Sequence, residues 1–305
     1  MRLGFVALTL AGLTLTGCEE DGGSAAAGGL PGKTPVVGTE TCQRAVDSDE
    51  VLDDGTEVMV ETFTCDTVMS DPRGSGREVL HIETTLLEED DVTSAWTGEG
   101  TITNDDGSWS GPVEGVVGYA VGVVNYGQVT YAGQGAYAGL TMHLLVAGTN
   151  ERLAYAGWIE GPDEGGTGQV LDGRIPVIGT DNCKRSLDSD ERLDDGTEVM
   201  LETFDCDLET SDPRATGHEI WHTDTRFLEP DDVTSAATGE GTLRNDEGSW
   251  AAMGDFIIEF AGWSPTNYGE QTYVGQGAYE GLTMDILIAG SNERLSWAGW
   301  IEGLQ

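Results

Sequence analysis

This 305-residue sequence predicts an all-β protein of two tandem antiparallel domains, each a barrel or a sandwich of about eight strands. Three observations carry that prediction. The chain repeats itself over most of its length; its apolar runs are short and bounded by turn residues; and beyond the N-terminal apolar run no segment combines helix caps with a sustained 3.6-residue period.

The repeat sets the domain organisation. Residues 37–66 and 178–207 align without gaps at an offset of 141, with 21 of 30 positions identical. TGEGT recurs at 97–101 and 238–242, and GSW at 107–109 and 248–250. After a slip of one residue, GQGAY at 133–137 returns at 275–279, and NERL at 150–153 returns at 292–295. The two copies span 36–161 and 177–305, with a Gly-rich acidic linker at 162–176. Two units of this length are domains with their own cores, not the short stacked repeats of a solenoid.

Within a copy, turn chemistry falls at Asp53-Asp54-Gly55, Asp71-Pro72-Arg73-Gly74, Asn104-Asp105-Asp106-Gly107, Asn125-Tyr126-Gly127 and Gly148-Thr149-Asn150, which marks antiparallel hairpins. Between the turns the side chains alternate. Leu80, Ile82 and Leu86 share one face, with His81, Glu83 and Thr85 on the other. Leu140, Met142, Leu144 and Val146 form a second apolar face, and Leu153, Tyr155 and Ile159 a third.

The segments SDPR, TGEGT..NDDGSW.G and G.GAY.GLT resemble those of small secreted bacterial proteins of unassigned function. The last is similar to the glycine-rich strand of barrels related to allene oxide cyclase and dirigent proteins. The resemblance covers most of each copy and rests on glycines and turns, so it implies an eight-stranded barrel and carries over no catalytic residue.

The N-terminus predicts export. Arg2, an apolar run from Leu3 to Leu15 and small residues before Cys18 have the layout of a cleaved signal peptide, and the run is shorter than the roughly 20 residues of a membrane-spanning helix. Leu15-Thr16-Gly17-Cys18 resembles the lipobox of bacterial lipoproteins. That resemblance implies removal of residues 1–17 and lipidation of Cys18, with palmitate as an expected acyl group. Residues 18–35 then form a flexible acidic tether, too poor in large apolar side chains to fold. Glu19 after the cysteine favours sorting to the outer membrane, by resemblance to enterobacterial lipoproteins.

A formal net charge of −41, with Lys33 and Lys184 the only lysines, disfavours nucleic acid and anionic lipid surfaces as partners, since both require basic patches. The lipid bilayer is therefore expected to be met through Cys18 alone, and a small ligand or an envelope protein is the open partner. With Cys18 assigned to lipid, four cysteines remain. Cys42 and Cys65 are 23 residues apart, as are Cys183 and Cys206, so one disulfide per copy is the natural choice among three connectivities.

Several clusters invite chemistry. Asp47, Asp49 and Asp53, with Asp188, Asp190 and Asp194 in the second copy, are carboxylate-dense enough for a divalent cation such as Ca2+, although they lack the register and glycine of an EF-hand. Otherwise they are solvated hairpin ends, and no cofactor is expected. His81 with Glu83, and His222 with Asp224, each place two ligand types on one strand face. Glu99, Glu240, Glu160 and Glu302 stand in repeated glycine or aromatic settings, read as outward polar positions. Trp109, Tyr126, Tyr131, Tyr137 and Trp158, with their counterparts Trp250, Tyr268, Tyr273, Tyr279 and Trp300, could line a barrel mouth around a small apolar ligand. No G-x-S-x-G elbow or nucleophilic triad is legible. These features together predict a lipid-anchored cell-envelope protein acting as a non-enzymatic binding or structural module. A small apolar-ligand or cation binder, and then a cyclase-like or hydrolytic barrel enzyme, are the alternatives.

Overall fold

The computed structural model describes residues 30–53, 55–86, 93–118, 124–165, 168–193, 196–227, 234–259, 266–291 and 294–303. The signal segment 1–17, Cys18, most of the tether, and Asp194 of the candidate cation loops lie outside the described residues.

Each copy is a closed antiparallel eight-stranded barrel. In barrel 1 the strands are β1 (Lys33–Val51), β2 (Glu57–Met69), β3 (Gly76–Leu86), β4 (Thr93–Thr103), β5 (Gly107–Gly118), β6 (Val124–Gly135), β7 (Thr141–Thr149) and β8 (Arg152–Glu160). In barrel 2 they are β9 (Ile175–Arg192), β10 (Glu198–Thr210), β11 (Gly217–Phe227), β12 (Thr234–Arg244), β13 (Gly248–Glu259), β14 (Thr266–Gly277), β15 (Thr283–Ser291) and β16 (Arg294–Glu302). Every strand pairs with its sequence neighbour, and the first pairs with the last. Closure removes the sheet edges, which answers the choice between barrel and sandwich. The first strand of each barrel starts a little earlier than the repeat does, at Lys33 and Ile175.

Cys42 stands directly opposite Cys65 across β1 and β2, with Cα atoms 4.1 Å apart, and Cys183 opposite Cys206 at 4.0 Å. Both disulfides form within their own barrel, as the equal spacings predict. They point inward, among the buried residues of each core.

One end of each barrel is closed by the turn motifs. In barrel 1, Asp71 caps the 3-10 turn Pro72–Gly74, and the Trp109 Nε1–H donates to the Arg73 carbonyl at 2.7 Å. Asn104 Nδ2 donates to the Arg73 and Ser75 carbonyls, and the Tyr137 hydroxyl donates to Asn104 Oδ1 at 2.8 Å. The Trp109 and Tyr137 rings stack 5.1 Å apart. Barrel 2 repeats the arrangement with Arg214, Asn245, Trp250 and Tyr279. The motifs SDPR, NDDGSW and GQGAY thus meet in one plug, which is why they recur together.

Asn125-Tyr126-Gly127 is not a turn. It lies inside β6, because Tyr126 is buried in the contact between the barrels and Gly127 gives room to the edge of the Trp96 ring. Tertiary packing here overrides a strong local turn signal. The acidic run Asp47–Glu50 likewise continues β1 across a bulge between Val46 and Ser48.

The barrels pack side by side through equivalent outer surfaces. Val37, Tyr126, Leu145 and Trp158 of barrel 1 join Ile178, Tyr268, Leu287 and Trp300 of barrel 2 in one buried apolar cluster. Each residue is the repeat counterpart of its partner, so the contact is isologous, like that of a two-fold dimer. Lys33 lies 4.3 Å over the Trp158 ring, and its counterpart Arg174 lies 4.7 Å over Trp300.

Candidate functional site

The inward positions of β1 are Val36, Gly38, Glu40, Cys42 and Arg44, and those of β3 are Glu78, Leu80, Ile82 and Thr84, as their burial and contacts show. Two carboxylates therefore fall on the core face, and barrel closure brings them together. Glu40 and Glu78 are completely or almost completely buried. Glu78 accepts hydrogen bonds from the hydroxyls of Thr67 and Tyr155, each at 3.1 Å, and from the hydroxyl of Tyr131. Burial, and then the neighbouring Glu78, push Glu40 well above the usual carboxylate range. Burial and the same two carboxylates raise Tyr131 and Tyr155. Gly100 makes this layer fit: a Cβ there would sit 2.0 Å from the Tyr131 hydroxyl.

This polar layer is a floor. Above it, toward the end carrying the β1–β2 and β7–β8 turns, lies a cavity of about 300 Å3. Phe63, Leu80, Ile82, Trp96, Val113 and Val129 are its main apolar wall, with Tyr155 shared between cavity and floor. Its rim carries Asn125, Asn150 and the ion pair of Arg44 with the buried Glu61. Trp96 crosses the barrel above Gly115 and Gly127, where any Cβ would strike its ring within 2.5 Å.

Barrel 2 has the same frame and a different filling. Asp181 replaces Glu40 and turns to the wall, accepting from the Leu295 N–H at 2.8 Å. Burial pushes Asp181 up to about 6 and Glu219, the counterpart of Glu78, up to about 8. The Tyr273 hydroxyl lies 2.7 Å from Glu219 and 2.8 Å from Gln271 Oε1, and Trp297 Nε1–H donates to the same Gln271 oxygen at 3.2 Å. A protonated Glu219 donating to Tyr273, which donates to Gln271, satisfies the whole chain. Trp221 and Phe256 occupy the barrel centre in edge contact, ring centroids 5.7 Å apart, and the remaining cavity is about 50 Å3.

The residues singled out from sequence are distributed differently from the expectation. Trp109 and Tyr137 belong to the closed end, Tyr131 to the floor, and Tyr126 and Trp158 to the contact between barrels, so none lines a mouth. The aromatic residues of the cavity are Phe63, Trp96 and Tyr155. Asp47 accepts from the Thr62 hydroxyl at 2.6 Å, and Thr62 in turn lies 2.9 Å from His81 Nδ1. Asp188, Thr203 and His222 repeat this outer-face chain at the same distances. Glu83 and Glu99 are exposed. Asp49 and Asp190 face Met59 and Met200 across the strand pair, and Asp53 sits in the β1–β2 turn. Among the described residues, the groups with three potential ligand atoms close together are Glu40 with Cys42 and Cys65, and Asp181 with Cys183 and Cys206. In both, the sulfurs are tied up in a disulfide and offer no thiolate.

Glu40, Glu78 and Trp96 escaped sequence reasoning. A signal for Glu78 was present: it precedes Leu80 and Ile82 with the same two-residue period, a carboxylate in step with an apolar face.

No protein-family model matches the chain, and no curated protein matches it. Among solved structures it is similar to Pseudomonas aeruginosa OccK5 (OpdH) at 9% identity, over 88% of this chain and 96% of that one, with a TM-score of 0.16. A likeness at that score carries no argument. The fold and site themselves define the class: a tandem β-barrel protein with one hollow barrel and one filled barrel.

Proposed function

We propose that the protein is an exported, lipid-anchored binding module of the cell envelope, in which barrel 1 takes a small, mainly apolar ligand and barrel 2 is a structural companion. The observation that carries this reading is the cavity of about 300 Å3 in barrel 1, against about 50 Å3 in barrel 2. A volume of this size, apolar walls and a few polar rim groups are what small-molecule sites have in common. The Glu40–Glu78 pair argues for binding and against glycoside chemistry. The two carboxyls, bridged by the Thr67 hydroxyl, are sealed in the floor and neither lines the cavity, whereas a glycosidase pair must flank a bound sugar. The test is titration of the mature chain with an environment-sensitive apolar dye. A one-to-one complex supports the reading, and no saturable binding refutes it.

The anchor has its own test. The lipobox-like Leu15-Thr16-Gly17-Cys18 supports lipidation at Cys18 and placement in the outer membrane. Metabolic labelling with a palmitate analogue is expected to mark the wild-type chain and not Cys18→Ser, and the label is expected in the outer-membrane fraction.

A further inference from the structure

Barrel closure uses only the first half of β1. The strand pairs with β8 from Lys33 to Thr41, and the Cys42 N–H donates to the Glu151 carbonyl at 2.9 Å. There β8 gives way to the β7–β8 turn, while β1 runs on to Val51 with β2 on one side only. Among the described residues, nothing bonds the other side of β1 from Gln43 to Val51, and its side chains are exposed, with Ser48 half-buried. The bulge between Val46 and Ser48 bends this overhang without ending it, because pairing with β2 resumes at Ser48. Along the open side, alternate N–H and C=O groups are left to water. A free edge as long as an average strand is a template for another chain.

Charge decides which chain. Asp47, Asp49 and Glu50 lie along the edge and Asp53 follows in the turn, and among the described residues none of the four is in an ion pair. The one basic residue of the overhang, Arg44, is already bound to Glu61. A second copy would bring the same acids to the same edge and be repelled, whereas a basic strand is attracted. Val46 and Val51, 53% and 69% exposed, offer apolar contacts beside the acids. Barrel 2 has the same overhang, since β9 pairs with β16 only from Ile175 to Thr180. There Lys184 and Arg192 stand where barrel 1 has Gln43 and Val51, and they offset most of the charge of Asp188, Asp190 and Glu191.

We propose that the free edge of β1, from Gln43 to Val51, docks an extended segment of a partner protein in which basic residues alternate with apolar ones. The segment adds to the sheet as a strand: backbone hydrogen bonds supply the affinity, and the acids choose the partner.

Three peptides of one length test this on the mature chain at low ionic strength: lysine alternating with valine, the same peptide N-methylated along its pairing side, and glutamate alternating with valine. The lysine peptide is expected to bind one to one, slowing hydrogen exchange of amides between Gln43 and Val51 and leaving those between Lys184 and Arg192 unchanged. N-methylation keeps the charge and removes backbone hydrogen bonds, so it is expected to weaken binding by at least about tenfold. The glutamate peptide is expected not to bind. Asp47→Asn, Asp49→Asn and Glu50→Gln together are expected to weaken the lysine peptide about tenfold. If that variant fails to fold, the three peptides on the wild-type chain decide. An N-methylated peptide that binds as well as its parent, equal protection of both edges, or no saturable binding overturns the inference. So does a dimer of the mature chain whose Gln43–Val51 amides are protected without peptide, which would give the edge to a second copy.

Discussion

Barrel 1 and barrel 2 share strand order, disulfide, closed end and contact surface, and differ in what fills the middle. In barrel 2 Trp221 replaces Leu80, Phe256 replaces Gly115, and Trp297 replaces Tyr155, while Ala237 replaces Trp96 and Gly254 replaces Val113. The gains exceed the losses, and the cavity falls from about 300 to about 50 Å3. The residues that bond the ends and the walls are kept, while those that only occupy volume have drifted. A β-barrel frame set by backbone pairing tolerates this, because closure depends on strand number and stagger more than on interior side chains.

The shared closed end should fail equally in both barrels. Trp109→Ala and Trp250→Ala each remove a fully buried ring, its stack on tyrosine and its bond to an arginine carbonyl. Each is expected to cost about 3–5 kcal/mol, read by urea unfolding. A much smaller cost in one barrel would show that the plugs are not equivalent.

The cavity is where the barrels part. Leu80→Trp installs the barrel 2 residue in barrel 1, on the cavity wall that Leu80 lines. Apolar-probe binding is expected to weaken by at least about 100-fold, or about 2.7 kcal/mol, in a fluorescence titration. Retained binding would place the site elsewhere.

The floor of barrel 2 carries its own pH dependence. Burial holds Glu219 protonated in the folded barrel up to about pH 8, whereas its ordinary value is 4.5. Between those values the folded state binds the extra proton, so stability falls as pH rises through the window, by up to roughly 1.4 kcal/mol per pH unit. Below 4.5 both states are protonated and no penalty remains. Asp181 adds the same sign of dependence between 3.8 and about 6. Glu219→Gln is expected to flatten the slope from pH 6 to 8 in chemical denaturation, and an unchanged slope would mean that Glu219 is ionised in the fold.

The smallest difference lies at the linker. Arg73 bonds Asp71 and also Glu164 at 2.6 Å, whereas Arg214 bonds Asp212. Glu164→Ala is expected to cost only about 0.5 kcal/mol by thermal unfolding, because the arginine is partly solvated.

Much of the frame was legible in the chain. The 141-residue offset predicts two copies, the paired 23-residue spacings predict the disulfides, and the alternation of Met142, Leu144 and Val146 predicts a core face. The functional interior was less so. The turn signal at Asn125-Tyr126-Gly127 misled because the contact between barrels buries Tyr126, and the aromatics expected at a mouth serve the plug, floor and interface instead.

The sequence by itself determined the repeat, the strand character, most of the turns and the cysteine partners, because each follows from local backbone preference or from equal spacing along the chain. Only the tertiary structure decided that Glu40 meets Glu78, that Trp96 spans two glycines on neighbouring strands, and that one barrel is hollow. Those outcomes are sums over side chains projecting from eight strands into a shared volume. Alternation tells each strand which residues face inward, but the register and closure of the barrel determine which of them touch.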